Sequence, residues 1–154
     1  MTWHCVPFSE LPLLDFHNIS QLRNAVFVVE QDCVFQDLDG KDVLAYHLYY
    51  KNNEGRIVAY ARLFKPGDYY TEASIGRIVV AIEARKHNYG RKLLAKSIDE
   101  VQRLFGQVPI RIGAQTYLQK FYESFQFTQV EAPYLEDGIP HIFMLNTSLM
   151  SDES

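Results

Sequence analysis

The sequence predicts an α/β fold, a single mixed sheet with helices on its faces, in the order β-α-β-β-β-α-β-α-β-β. Three observations lead there. The stretch "SIGRIVVAI", a helix and "VPIRIGA" follow one another as a strand–helix–strand crossover, which sets the two strands parallel with a right-handed connection. Upstream, "VLAYHLYYK" and "RIVAYARLF" flank the turn residues "NNEG" and read as an antiparallel hairpin. Downstream, "FTQVEA" and "HIFMLNT" flank the turn "LEDGIP" and add two more strands.

Taken in order, "WHCVPF" is a short opening strand stopped by Pro7. Phe16, Ile19, Leu22, Val26 and Val29 recur at spacings of three and four, one face of a helix that ends near Gln31. The polar segment "QDLDGKD" is loop, and the branched and aromatic hairpin follows it. "KPGDYYTEA" connects to the third strong strand, "SIGRIVVAI". Beyond a basic turn, Gly90, Leu94, Ile98, Val101 and Phe105 mark a second helical stripe. "VPIRIGA" is a short buried strand and "TYLQKFYESF" a third helix.

These elements fit one domain over residues 1–148, with 149–154 as a solvated tail. Hydrophobic residues make up 47% and charged residues 22%, the balance of a soluble globular chain. No apolar run reaches the roughly 18 residues of a membrane span, and "MTWHCVPFSE" does not read as a signal peptide. Cys5 and Cys33 form no CxxC pair and read as reduced thiols of a cytoplasmic protein. A net charge of −4 argues against a nucleic-acid partner, which needs a broad basic face. Exposed sheet edges leave room for a homodimer.

The charge is unevenly spread. Five of the fifteen Lys and Arg residues lie between Arg85 and Lys96, with no Asp or Glu among them. They surround a turn that feeds a helix, where unpaired amides and the positive end of the helix dipole favour an anion such as phosphate. Asn88 tolerates the left-handed conformation such turns need, and Gly90 lets the main chain approach a ligand closely. The turn also follows a parallel strand at its C-terminal end, the usual ligand position in open sheets.

This loop, Arg85-Lys86-His87-Asn88-Tyr89-Gly90, resembles the acyl-CoA loop Arg/Gln-x-x-Gly-x-Gly/Ala of the GNAT superfamily of N-acyltransferases. "LQKFYESFQF" resembles the family helix whose tyrosine, here Tyr122, faces the thioester sulfur. "RNAVFVVEQDCVFQDLDG" and "EDGIPHIFM" resemble its ElaA-like branch, so the likeness runs from about Arg23 to Met144. Asn88 and Gln126 depart from the pattern, each standing where glycine is usual. The resemblance implies a GNAT-like fold with acetyl-CoA as cosubstrate, its diphosphate on Arg85, Lys86, His87, Asn88, Tyr89, Gly90 and Arg91. It implies that the pantetheine arm runs along Ile78, Val79 and Val80, and it assigns Gln115 to the cofactor side. No metal is expected, and the absence of GxxxxGK[ST] argues against nucleotide hydrolysis.

Acyl transfer to an amine needs a base, donors for an oxyanion and a proton for the departing thiolate. Tyr122 is the candidate acid, because a phenol with a pKa near 10 stays protonated until the sulfur takes on charge. A main-chain N–H near Val79 and Val80 is the candidate oxyanion donor. Glu30 and His141 are the candidate bases, with a water chain as the third route; Glu30 equally suits pairing with an arginine, and His141 a satisfied strand position. If the hairpin is centred between Tyr69 and Tyr70, Arg62 and Arg77 lie opposite each other on one face and need a negative partner. Asp37, Asp39 or Glu30 supplies it, or else the arginines bind a carboxylate on the acceptor. The loop Asp32–Asp42 and the turn "YLEDGIP" are expected to border the acceptor pocket. The function implied is transfer of an acetyl group to a primary amine of a small molecule or peptide by direct attack in a ternary complex. The alternative is a non-catalytic acyl-CoA-binding sensor or interaction module.

Overall fold

The computed structural model describes residues 2–149 and contains eight strands and three α-helices. They are β1 (Thr2–Pro7), α1 (Leu13–Arg23), β2 (Tyr46–Lys51), β3 (Ile57–Phe64), β4 (Ala73–Val80), α2 (Tyr89–Phe105), β5 (Ile110–Gln115), α3 (Gln119–Glu123), β6 (Thr128–Gln129), β7 (Tyr134–Glu136) and β8 (Ile139–Asn146). The sheet order is β1-β2-β3-β4-β5-β8-β6, with β7 also paired to β8. Every neighbouring pair is antiparallel except β4 and β5, the expected crossover.

Two departures from the sequence reading lie at the ends. "FTQVEA" contributes only Thr128 and Gln129 to the sheet, and the stretch read as the turn "LEDGIP" is itself a hairpin, β7–β8. Its two-residue tip is Asp137–Gly138, both at positive φ (49° and 78°), the conformation Asp-Gly favours between strands. Leu149, assigned to the tail, packs against the core; residues 150–154 lie outside the described residues.

Side chains alternate across the sheet and build a core on each face. Leu48, Tyr50, Ala61 and Leu63 pack with Leu93, Leu94 and Val101 of α2, while Tyr49, Ile57, Tyr60 and Val79 pack with Ile19 of α1 and with Val26. Burial of Leu93 and of Leu94, both fully enclosed, contributes about 1.5–3 kcal/mol each. Both cysteines are free thiols, and burial, followed by the nearby Glu100 charge, pushes the Cys5 thiol up to about 11.

Past Arg23 the first helix widens into a π-helical segment, Asn24–Glu30, with bonds from Gln31 N–H to Val26 O and from Cys33 N–H to Val28 O. The wider turn alters the helical phase. Val29, expected on the buried stripe, is therefore exposed, while Phe27, Glu30 and Gln31 line the cavity described below.

The short helix α3 ends as a Schellman motif: Phe127 N–H bonds Tyr122 O (3.2 Å) and Gln126 N–H bonds Glu123 O (3.0 Å). Gln126 therefore occupies the left-handed position (φ 70°) that suits glycine. Gln126→Gly should relieve that strain and raise stability by about 0.5–1 kcal/mol, read as a higher urea midpoint with an unchanged slope.

Candidate active site

The parallel pair β4–β5 is joined only at its base, by Ala73 opposite Ile110 and Ser74 opposite Arg111. Above it the strands part. Ile75–Val80 keep β3 on one side, and Ile112–Gln115 keep β8 on the other, so two main-chain edges face each other across a gap. Backbone N–H and C=O groups left without partners away from water are costly, so a gap of this kind suits an extended guest that carries its own amides. A cavity of about 860 Å³ opens there. Its lining includes Ile78, Val79, Val80, Arg85, Gly90 and Gln115 from the expected cofactor residues.

Lys86, His87, Asn88, Tyr89 and Arg91 belong to the adjoining turn and the start of α2, outside that lining. Ile82–His87 forms 3₁₀ turns that occupy part of the amides expected to meet an anion. The free donors are thereby concentrated at the first turn of α2, where Tyr89, Gly90 and Arg91 have no helical carbonyl ahead of them. Asn88 caps that helix in the left-handed conformation (φ 60°), as its side chain allows. Gly90 has no positive φ, and a Cβ built on it meets nothing within 4 Å. Neither the backbone nor the packing of the protein itself therefore requires glycine there.

Tyr122, 6% exposed, lines the cavity opposite β4, and its hydroxyl has no hydrogen-bond partner among the described residues. Burial, with a smaller contribution from Tyr117, pushes its pKa far above the ordinary phenol value. His141 stands on β8 opposite Gln115 and is 7% exposed. Its Nδ1–H donates to Ile139 O at 2.7 Å, and Nε2 stands 3.5 Å from Glu136 Oε2, with the residue on the cavity wall.

Glu30 is engaged differently. Both its oxygens accept from Arg85, each at 2.6 Å, and those bonds hold its carboxyl below the usual range. An acid so paired is a weak proton acceptor. Arg85 also donates to Val80 O at 3.3 Å, so this pair ties the end of the π-helical segment to β4 across the cavity.

The register of β3 and β4 corrects the expected pairing of the two arginines. Arg62 lies opposite Gly76, and a bulge at Arg77 (φ 49°) breaks the ladder between Tyr60 and Arg62. The acids of the loop do supply the negative partners. Arg62 donates to both oxygens of Asp39 (2.9 and 2.7 Å) and to Asp42 (3.0 Å), while Arg77 Nε sits 2.8 Å from Asp37 Oδ1. Arg62 is 1% exposed and absent from the cavity wall, so it anchors the loop rather than meeting an acceptor; Arg77 does reach the wall. Sequence reasoning missed the centre of this cluster. Arg23, fully buried, donates to Asp37 (2.9 Å), Asp42 (2.8 Å) and Asp37 O (3.1 Å). Three aspartates at 37, 39 and 42 were the available signal. Phe27, Gln31 and Tyr69 also line the cavity unforeseen, whereas Phe35, Asp39, Glu136 and Asp137 fall within the two segments expected to border it.

A mixed sheet parted at its one parallel joint, with a basic turn and a helix start beside the gap, is the architecture of acyl-CoA N-acyltransferases. The chain belongs to the GNAT acetyltransferase family, whose domain model matches residues 18–147. It is 41% identical over 145 residues to Protein ElaA of Escherichia coli (strain K12), covering 92% of this chain and 94% of that protein. The crystal structure of Escherichia coli ElaA superposes with a TM-score of 0.87 at 39% identity, covering 94% of this chain and 98% of that one. An acyl-CoA N-acyltransferase from Pseudomonas aeruginosa gives 0.89 at 36% identity, covering 95% and 99%. No helix among the described residues is long and apolar enough to cross a membrane.

Proposed function

We propose that the protein transfers an acetyl group from acetyl-CoA to a primary amine of a small molecule or peptide, by direct attack in a ternary complex. The observation that carries this reading is the pair of main-chain edges, Ile75–Val79 and Ile112–Gln115, with no strand partner across the gap, and the unpartnered Tyr122 hydroxyl on the same cavity. In this reading Ile78, Val79 and Val80 pair with the amides of the pantetheine arm, and a nearby main-chain N–H steadies the oxygen of the reacting carbonyl. The first-turn amides of α2 hold the diphosphate, with the cationic turn adding attraction. His141 Nε2 accepts the proton that the amine loses as its nitrogen bonds to the acetyl carbon. Tyr122 gives its hydroxyl proton to the sulfur as the carbon–sulfur bond breaks, and solvent returns that proton to the phenolate. Glu30, already held by Arg85, serves in the mouth of the site rather than as the base.

The deciding experiment is a thiol-release assay with acetyl-CoA and a panel of primary amines. Amine-dependent release is expected. Tight binding of CoA with no release for any amine would overturn catalysis and make the protein an acyl-CoA sensor. The diphosphate site has its own test. Gly90→Ala should leave thermal stability unchanged or slightly raised, because the new Cβ meets open space and alanine suits a helix. It should nevertheless weaken CoA binding about tenfold in calorimetry, by blocking close approach to the amides. Unaltered affinity would move the diphosphate elsewhere.

A further inference from the structure

The charges lining the cavity are Glu30, Asp39, Glu136 and Asp137 against Arg77 and Arg85. Both cations are already committed. Arg85 is gripped by both oxygens of Glu30, and Arg77 lies between Asp37 (2.8 Å) and Asp39 (3.5 Å), the latter also shared with Arg62. What remains uncompensated is negative and sits at one place, the tip of the β7–β8 hairpin. Glu136, with a side chain 56% exposed, faces no cation except His141 when that ring is protonated, and Asp137 has no ion-pair partner among the described residues. A field of this sign attracts cations and repels a carboxylate.

The tip is held in place. Asp137 and Gly138 form the tight turn, Glu136 pairs with Ile139, and the Cys33 S–H donates to Asp137 O at 3.7 Å, tying the hairpin to the loop after the first helix. The same hairpin carries His141, two residues beyond Ile139, with its Nε2 3.5 Å from Glu136 Oε2. Tyr122 and His141, both residues more than nine-tenths buried, line the cavity, and Tyr122 Oη makes no hydrogen bond among the described residues; together they mark where the reacting end of a ligand lies.

Resting on the acetyl-transfer reading, we infer that the acceptor is an alkyl diamine or longer polyamine: one amine is acetylated beside His141 while a second, still an ammonium, rests on Glu136 and Asp137. The acceptor carboxylate once consistent with Arg62 and Arg77 finds both guanidiniums occupied.

The test compares three acceptors of matched length with the full chain and saturating acetyl-CoA: a diaminoalkane, the corresponding monoamine and the ω-amino acid. The diamine should exceed the monoamine at least tenfold in kcat/KM, with the amino acid poorest. The advantage should shrink with added salt, and it should collapse towards unity in the Glu136→Gln, Asp137→Asn double variant through a higher KM for the diamine. Equal rates for diamine and monoamine, or preference for the amino acid, would overturn the inference while leaving acetyl transfer intact. Were no amine to release thiol, acetyl transfer itself would fall. Calorimetry of the three compounds against CoA-saturated protein would then decide the inference: tighter binding of the diamine supports it, and equal or absent binding refutes it.

Discussion

Tyr122→Phe is expected to lower turnover by about 10²–10⁴-fold, the usual contribution of a positioned proton donor. The affinity for CoA should hardly change, since the ring stays in place against Phe121 and Phe127 and only the hydroxyl is lost. Stability should hold or rise slightly, because that hydroxyl makes no hydrogen bond among the described residues that the change would break. Steady-state kinetics, a calorimetric titration with CoA and a thermal melt read the three quantities separately. Undiminished turnover would remove Tyr122 from the chemistry; a fall in CoA affinity of the same size would make it a packing residue of the cofactor site.

Arg23→Ala should destabilise the protein by about 3–5 kcal/mol, the cost of removing one partner from a buried ion-pair cluster, even with Arg77 and Arg62 left to hold Asp37 and Asp42. Asp37 and Asp42 would lose their shared cation in a region sealed from water. Urea unfolding measures the loss, and converting Asp37 and Asp42 to Asn in the same background should restore part of it. A change below 1 kcal/mol would mean that the acids find other partners. The cluster also imposes a pH dependence. Burial works against the Asp39 carboxylate, yet its bonds to Arg62 and Lys41 N–H hold its pKa far below the usual range. A depressed folded pKa means that the stabilisation is complete above the unfolded value, near pH 4, and disappears as the pH falls further. Acid unfolding should therefore be blunted in Asp39→Asn, which has no such proton to take up.

Regular features were legible because they repeat. The hairpin β2–β3, the crossover β4–α2–β5 and the stripe of α2 each rest on several residues in phase, and all three form as expected. Single-residue events were not legible. The bulge at Arg77 and the π-helical widening after Arg23 shift everything beyond them by one step, and neither has a local composition of its own. Arg23 reads as an ordinary basic residue near a helix end, whereas two distant aspartates, Asp37 and Asp42, hold it fully buried. At the candidate site, the turn from Arg85 to Gly90 and Tyr122 came from likeness to a family. Spacing alone could not tell that both oxygens of Glu30 are taken up by Arg85, or that His141 Nδ1–H is engaged by Ile139 O.

The parted strands carry one more implication. A sheet with rungs missing from its middle is stiffest when a guest completes the ladder, and anything that binds only the folded chain shifts its melting point upward with concentration. Heat tolerance would then track the supply of that guest, and amides on β4 and β5 would trade their hydrogens with solvent more slowly when it is plentiful. In such a molecule resistance to unfolding would be set in part by whatever fills the gap.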